Sequence, residues 1–130
     1  MKHFRLFTAV IILALLGVMV VGCGPKSVTF LDENLEAAVR DSLGKPVGEE
    51  ITVEELATIT SLDATGRGIA DLSGLEYCSN LTELYLSENQ TSGISSLSNL
   101  TSLTKLMLCC NQISDISPLT PLVNLTHLEL

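Results

Sequence analysis

The chain has 130 residues, of which 46% are apolar but only 4% aromatic, with no tryptophan and a formal net charge of −8. This length predicts at most one domain plus a processed segment. So acidic a surface repels phosphate backbones, which argues against nucleic acid as a partner. Because binding pockets for small molecules are usually lined by aromatic side chains, the composition also argues against an enzyme and favours a core of leucine and isoleucine.

Residues 1–22 are predicted to be a secretory signal peptide. Lys2 and Arg5 provide a basic start, and positions 6–21 are apolar apart from Thr8, which is the pattern of such a signal. The alternative is an uncleaved signal anchor. Those 16 positions are fewer than the roughly 20 residues that usually cross a bilayer, so a cleaved signal is favoured.

The segment Val20-Val21-Gly22-Cys23 resembles the bacterial lipobox, in which a small residue stands just before the cysteine. The resemblance implies cleavage before Cys23 and lipidation of its side chain, with residues 23–29 as a tether. Buried acyl chains contribute about 0.8 kcal/mol per CH₂ group, so two or three chains would hold the protein on a membrane. The expected localisation is therefore across the cytoplasmic membrane, with a lipid anchor at the cell surface or envelope.

Residues 30–58 are predicted to form a helical N-terminal cap. A helix is expected over 32–43, because Asp32 is a suitable N-cap and Gly44 a suitable terminating residue. A second, short helix is expected after Thr52, since Thr52 and Glu55 have the spacing of a capping box. These helices would cover one end of the structure that follows.

Residues 59–130 repeat with a period of 22. Leucine recurs at three positions of three successive units, and asparagine recurs at a fourth: Leu81, Leu103 and Leu125; Leu84, Leu106 and Leu128; Leu86, Leu108 and Leu130; Asn89 and Asn111. This is the leucine-rich repeat pattern, with about three repeats and a partial fourth. The expected fold is α/β, a right-handed leucine-rich repeat solenoid with short parallel strands on the concave face.

The segment Asn111-Gln112-Ile113-Ser114-Asp115-Ile116-Ser117-Pro118-Leu119 resembles the turn and convex segment of the 22-residue repeats of internalins. With the cap, the resemblance to bacterial leucine-rich repeat surface lipoproteins covers about residues 30–130. It implies a concave recognition face. Three residues depart from the pattern: Arg67 stands where the repeat asparagine belongs, Ala64 replaces a core leucine, and Thr91 replaces isoleucine, which predicts a minor polar defect.

Side chains between the inward leucines are predicted to face the concave side. These candidate ligand-binding positions are Ser61, Asp63, Thr65, Glu83, Tyr85, Ser87, Lys105, Met107, Cys109, His127 and Glu129. Tyr85 and Met107 would form an apolar hot spot inside a polar rim; the alternative is two exposed positions without a partner. The concave side of the predicted sheet has an area on the order of 200 Å², whereas a specific interface needs about 800 Å² per partner. Because the sequence also stops in mid-strand at Leu130, we expect the repeats to be part of a larger surface.

The leading functional hypothesis is a membrane-anchored extracytoplasmic module that recognises a protein or a surface glycan, with adhesion as one such role. The alternative is a structural spacer or presenting scaffold of a larger surface protein. A third hypothesis is thiol redox chemistry at Cys109-Cys110. Adjacent thiols could also bind metal, form a vicinal disulfide or pair with another chain, but the favoured interpretation is incidental thiols without a function. The sequence lacks metal-ligand spacing and catalytic motifs, so we expect no enzyme activity, cofactor or metal site. Cys78, at the repeat position of Leu100, is predicted to be a buried core thiol.

Overall fold

The computed structural model describes residues 24–130. The predicted signal peptide (residues 1–22) and the predicted lipidation site Cys23 lie outside the described residues. In chain order, the elements are β1 (Ser27–Val28), α1 (Glu33–Leu43), β2 (Ile51–Thr52), α2 (Val53–Leu56), β3 (Ser61–Asp63), β4 (Glu83–Tyr85), β5 (Lys105–Met107) and β6 (His127–Glu129), with short 3₁₀ helices at Leu75–Tyr77, Ser95–Leu97 and Ser117–Leu119. Within this range the helices are too short or too polar for one to cross a membrane.

Helix α1 begins and ends at the residues that the sequence predicts. The Oδ1 atom of Asp32 accepts the backbone N–H groups of Asn34 at 2.9 Å and Leu35 at 3.1 Å, which would otherwise lack a partner in the first turn. At the other end, Gly44 has a φ of 64°, a left-handed conformation that glycine adopts without a Cβ penalty. The buried face of the helix consists of Leu35, Ala38 and Val39.

The capping box that starts α2 is also confirmed. The Thr52 hydroxyl accepts the N–H of Glu55 at 3.2 Å, and the Glu55 carboxylate accepts the N–H of Thr52 at 2.9 Å. The same carboxylate receives a hydrogen bond from Lys45 Nζ at 2.6 Å. Ile51 and Leu56, on either side of the box, are both buried, so this short helix is fixed from its polar and its apolar side.

A two-stranded sheet in the cap differs from the sequence prediction. β1 and β2 pair antiparallel, with Val28 opposite Ile51, and the N–H of Val53 donates to the Lys26 carbonyl at 2.9 Å. The predicted tether over 23–29 therefore includes a strand, and Val28 packs against the core. Strands of two residues are too short to leave an alternating pattern in the sequence.

The leucine-rich repeat solenoid is confirmed by the main sheet. β3, β4, β5 and β6 pair in parallel in that order, and Leu62, Leu84, Leu106 and Leu128 stand side by side across it. The first three are at most 1% exposed. Leu128 is 44% exposed, because β6 has a neighbouring strand on one side within the described part of the chain. Stacking thus buries a leucine row that one repeat could not bury alone.

The repeat asparagine fastens neighbouring turns to each other. Asn89 is buried, and its Oδ1 atom accepts the N–H groups of Arg67 at 3.1 Å and Ile69 at 2.9 Å. Its Nδ2 group donates to the carbonyls of Ala64 and Leu86, both at 2.9 Å. The N–H groups of Arg67 and Ile69 and the Ala64 carbonyl depend on this side chain at the turn, whereas the Leu86 carbonyl also accepts a hydrogen bond from Asn111 Nδ2 at 2.9 Å. Asn89 therefore links the turns of two neighbouring repeats.

The polar defect predicted at Thr91 is wrong. Thr91 is fully buried, but its hydroxyl donates to the Ile69 carbonyl at 3.2 Å. Its backbone N–H donates to the Asn111 Oδ1 atom at 3.1 Å. Because burying a hydroxyl is unfavourable only when it lacks a partner, this site replaces an apolar contact with an inter-repeat hydrogen bond.

Asp32 has a second role, which joins the cap to the first repeat. Its Oδ2 atom accepts the backbone N–H groups of Ala70 at 2.8 Å and Asp71 at 3.1 Å. Burial alone would raise the pKa of Asp32, but the backbone donors of Ala70, Asp71, Leu35 and Asn34 together lower that pKa below its usual value. One carboxylate therefore caps the N-terminus of α1 and attaches this helix to the solenoid.

Asp32→Asn is expected to lower the free energy of unfolding at neutral pH by about 1–2 kcal/mol, since an amide cannot accept all four N–H groups. Because the folded-state pKa is lowered, the contribution of the carboxylate is present above the unfolded-state value of about 3.9 and is lost as the pH falls through the folded-state value. Urea unfolding from pH 7 to pH 2 should therefore show the two proteins converging in acid. Glu49→Gln, at an exposed loop position, is the control. A stability difference that does not change with pH would contradict this role.

Candidate functional site

The outward-facing side chains of the main sheet lie in aligned rows, because the four strands are parallel and in register. One row consists of Ser61, Glu83, Lys105 and His127, and the other of Asp63, Tyr85, Met107 and Glu129. The remaining predicted positions follow the strands: Thr65, Ser87 and Cys109. All eleven are partly or fully exposed, so the structure brings them together on one side of the sheet, here called the sheet face.

Tyr85 lies near the middle of the sheet face and is held from two sides. Its hydroxyl donates to Glu83 Oε2 at 2.6 Å, and Lys105 Nζ lies 5.0 Å from the centre of its ring. A cation at this distance is attracted by the negative face of the ring. Met107 is the next residue in the same row. The ring is thus presented in a fixed orientation beside an apolar neighbour.

The charge of the sheet face is acidic. The backbone N–H of Thr65 donates to Asp63 Oδ1 at 3.1 Å. This bond, and to a smaller extent the hydrogen bond from the Thr65 hydroxyl, lower the pKa of Asp63 below its usual range. Asp63 is therefore ionised at neutral pH. With Glu83 and Glu129 it places three carboxylates on the face against the one ammonium group of Lys105. A partner would meet a negative potential around the aromatic ring.

A row of threonines forms the border of the sheet face and was not recognised in the sequence. The hydroxyls of Thr82, Thr104 and Thr126 each donate to the carbonyl of the threonine one repeat earlier, at 2.9, 3.1 and 3.0 Å. The signal was present, since positions 60, 82, 104 and 126 are all threonine. These bonds fix the entry of each strand relative to the previous one.

The cysteines of the described residues differ in their surroundings. Burial, followed by the negative charge of Glu76, raises the pKa of the Cys78 thiol to about 12, which confirms the predicted buried core thiol. Cys109 is partly exposed and Cys110 exposed, and both are free thiols. Within residues 24–130, no group of three or more His, Cys, Asp or Glu side chains could hold a metal ion.

His127, one of the candidate ligand-binding residues, contacts a neighbouring hydroxyl. His127 Nδ1 lies 3.0 Å from Thr126 Oγ1, and His127 and Glu129 stand in different rows of β6. His127 is exposed. General acid–base chemistry needs a reacting group within hydrogen-bond reach and an orienting partner, and the contact described for this ring is to the Thr126 hydroxyl.

Known repeats and structures resemble the chain. A family model described as leucine rich repeats (2 copies) matches residues 79–121. An internalin (inlF) of Listeria monocytogenes is 40% identical, with a TM-score of 0.77, over 83% of this chain and 33% of that one. Internalin C2 of the same organism is 31% identical, with a TM-score of 0.68, over 82% of this chain and 58% of that one.

A third similar structure is the functional domain of InlJ from Listeria monocytogenes, which includes a cysteine ladder. It is 31% identical, with a TM-score of 0.72, over 80% of this chain and 24% of that one. No curated protein matches the chain. The chain thus spans less than two thirds of the length of each of these three structures.

Proposed function

We propose that this internalin-like leucine-rich repeat chain is a recognition module that binds a protein partner through its sheet face. The repeats and the likeness to internalins support protein–protein recognition in general. The observation that carries the specific proposal is Tyr85, oriented by Glu83 and Lys105 and adjacent to Met107. An ordered aromatic side chain beside an apolar one, surrounded by polar groups, is the usual composition of an interface hot spot.

The charge of the sheet face defines the kind of partner. Three carboxylates surround Tyr85 and Met107, so a partner with an apolar centre and basic groups at its rim fits best. Four strands of three residues present on the order of 150 Å² of sheet, which is a fraction of a standard interface. We therefore expect the contact to extend onto the turns after the strands, where Ser87 and Cys109 are accessible.

The double substitution Tyr85→Ala and Met107→Ala is expected to weaken binding about 30- to 100-fold, because hot-spot truncation costs roughly 2–3 kcal/mol. Partners would be captured from extracts of cell-surface proteins with the wild-type chain, and affinities measured by biolayer interferometry. Ser95→Ala, an exposed position outside the sheet, is the control and should leave the affinity unchanged. Equal affinities for all three proteins would rule out the sheet face. A captured glycan in place of a protein would overturn the choice of partner.

Attachment to a membrane through Cys23 and a role in adhesion are part of the same proposal. They are supported by the sequence of residues 20–23, in which the small Gly22 precedes the cysteine. A lipid on one terminus would leave the sheet face free to meet a partner. The mass of the mature N-terminal fragment distinguishes the cases: an unmodified Cys23 would remove the anchor from the proposal.

A further inference from the structure

Cys109 and Cys110 occupy a turn whose shape is set by the repeat. Cys110 has a φ of 61°, in the left-handed region that side chains other than glycine rarely adopt. The residues one and two repeats earlier, Glu88 and Gly66, have φ values of 59° and 64°. Three successive turns share this conformation, so the solenoid rather than the cysteines imposes it.

This turn places the two thiols side by side. In an extended strand, successive side chains point to opposite faces, but a left-handed residue interrupts the alternation. The Sγ atoms of Cys109 and Cys110 lie 3.2 Å apart. The turn is held by the N–H of Glu88, which donates to the Cys109 carbonyl at 2.8 Å, and by Asn111 Nδ2, which donates to the Leu108 carbonyl at 2.9 Å. The thiol pair is therefore arranged before any ligand arrives.

The surroundings of Cys109 favour its protonated thiol. The hydrogen bond between Cys109 and Cys110, the charge of Cys110 and desolvation raise the pKa of Cys109, and the carboxylates of Glu129 and Glu88 add to this. A thiol used for redox catalysis needs the opposite environment, in which positive charge stabilises the thiolate. The third functional hypothesis, thiol redox chemistry, therefore loses support. A ligand that bonds to both sulfur atoms at once is a better match to two thiols 3.2 Å apart.

A small cavity adjoins Cys110. Its volume is about 100 Å³, and it is lined by Leu108, Cys110, Asn111, Ile113, Ile116 and Leu130. Four apolar side chains next to the Cys110 sulfur favour a ligand that combines a thiophilic atom with an apolar group. A cation such as zinc would require further ligands, and residues 24–130 contain no group of three or more suitable side chains.

We propose that Cys109 and Cys110 form a binding site for trivalent organic arsenic. The arsenic atom of an organic arsenic(III) oxide forms one bond to each sulfur and loses its bond to oxygen. That oxygen leaves as water with the two thiol protons. Arsenic stays trivalent, so the step needs no oxidant or reductant, and the organic group lies in the adjoining cavity. The site does not depend on the recognition role of the sheet face.

The test uses phenylarsine oxide with the full chain and reads the intact mass. The expected product is one adduct per chain, heavier by one arsenical less one water. It should withstand excess 2-mercaptoethanol, a monothiol, but be released by dithiothreitol, a dithiol that competes for both arsenic bonds. Cys109→Ser and Cys110→Ser should each lose the monothiol-resistant adduct, although each retains three other cysteines. Cys78→Ala is the matched control and should keep it.

Thermal melting monitored by circular dichroism shows whether the serine variants remain folded. Ser87 and Thr65 occupy the position of Cys109 in the two preceding repeats, so Cys109→Ser should fold normally. A monothiol-resistant adduct in folded Cys109→Ser would overturn the proposal. So would a reduced wild-type chain that takes up no arsenical or that closes into a vicinal disulfide instead. None of these outcomes bears on binding by Tyr85, so failure here and failure of the proposed function are distinguishable.

Discussion

Asn89→Ala is expected to lower the free energy of unfolding by about 4 kcal/mol or more, enough to unfold a marginal domain. The substitution removes two acceptor bonds, from the N–H groups of Arg67 and Ile69, and the donor bonds to the carbonyls of Ala64, Leu86 and Ser87. The Leu86 carbonyl still accepts a hydrogen bond from Asn111, so the main loss falls on Arg67, Ile69 and Ala64. An unsatisfied buried polar group costs about 1–3 kcal/mol, and access of water near the surface keeps the total towards the lower end of the sum for three groups.

The measurement is urea unfolding followed by circular dichroism, with the wild-type slope as the check on two-state behaviour. Asn99→Ala provides the control, since Asn99 is exposed and should change stability by less than about 0.5 kcal/mol. Asn89→Asp adds a second comparison. It preserves size but turns the donor into a carboxylate oxygen facing carbonyls, so it should also destabilise. A loss below about 1 kcal/mol for Asn89→Ala would show that the turns stay together without this side chain.

Gly74→Ala is expected to lower the free energy of unfolding by about 2–4 kcal/mol. Gly74 has a φ of 109°, and a Cβ atom placed there would lie 2.5 Å from Cε1 and 2.6 Å from Cδ1 of Phe30. The left-handed backbone alone costs a non-glycine residue roughly 1–2 kcal/mol, and overpacking a buried ring roughly 1–3 kcal/mol. The Phe30 side chain is 6% exposed, so it has little room to withdraw.

Two variants separate the contributions at this position. Gly93→Ala is the matched control, because no atom lies within 4 Å of its added Cβ, and it should be neutral or stabilise by up to about 1 kcal/mol. Combining Gly74→Ala with Phe30→Leu removes the ring from the clash. The coupling free energy from the double-mutant cycle should then equal the steric part of the destabilisation. The part that comes from the left-handed backbone should remain in the double variant. A melting temperature of Gly74→Ala equal to that of the wild type would show that the cap is not packed against this residue.

Most of the fold could be predicted from the sequence, because the repeat applies the same physical requirement every 22 residues. Leu84 and Leu106 occupy the same position in successive repeats because each is buried by packing against the leucine of the neighbouring strand. The boundaries of α1 were also predictable. Asp32 and Gly44 act through backbone groups within a few residues, so local sequence carries the whole signal.

The remainder depends on contacts that are distant in the sequence. The second role of Asp32 joins it to Ala70, 38 residues away, and no local pattern announces such a bond. Thr91 was predicted to be a polar defect because its hydrogen-bond acceptor cannot be recognised from the neighbouring sequence. That acceptor is the Ile69 carbonyl, which belongs to the preceding repeat.

The sheet face was predictable in outline and not in detail. Strand alternation placed the eight candidate residues within the strands on one side of the sheet, because the pleat leaves no other arrangement, and the other three follow directly after the strands. The contacts of Tyr85 with Glu83 and Lys105 depend on side-chain torsions, which the period of the repeat does not determine. The nearness of the Cys109 and Cys110 thiols depends on a left-handed residue that neither cysteine favours by itself.

The short sequence separation of the residues joined by inter-repeat hydrogen bonds affects how the protein folds during synthesis. The side-chain bonds between neighbouring repeats join residues 20 to 25 positions apart. At a ribosome that adds about 5–20 residues per second, each turn therefore meets its partner within roughly 1–5 s of synthesis. The solenoid can grow from its helical cap one turn at a time as the chain emerges. Little apolar surface is then exposed to solvent during translation.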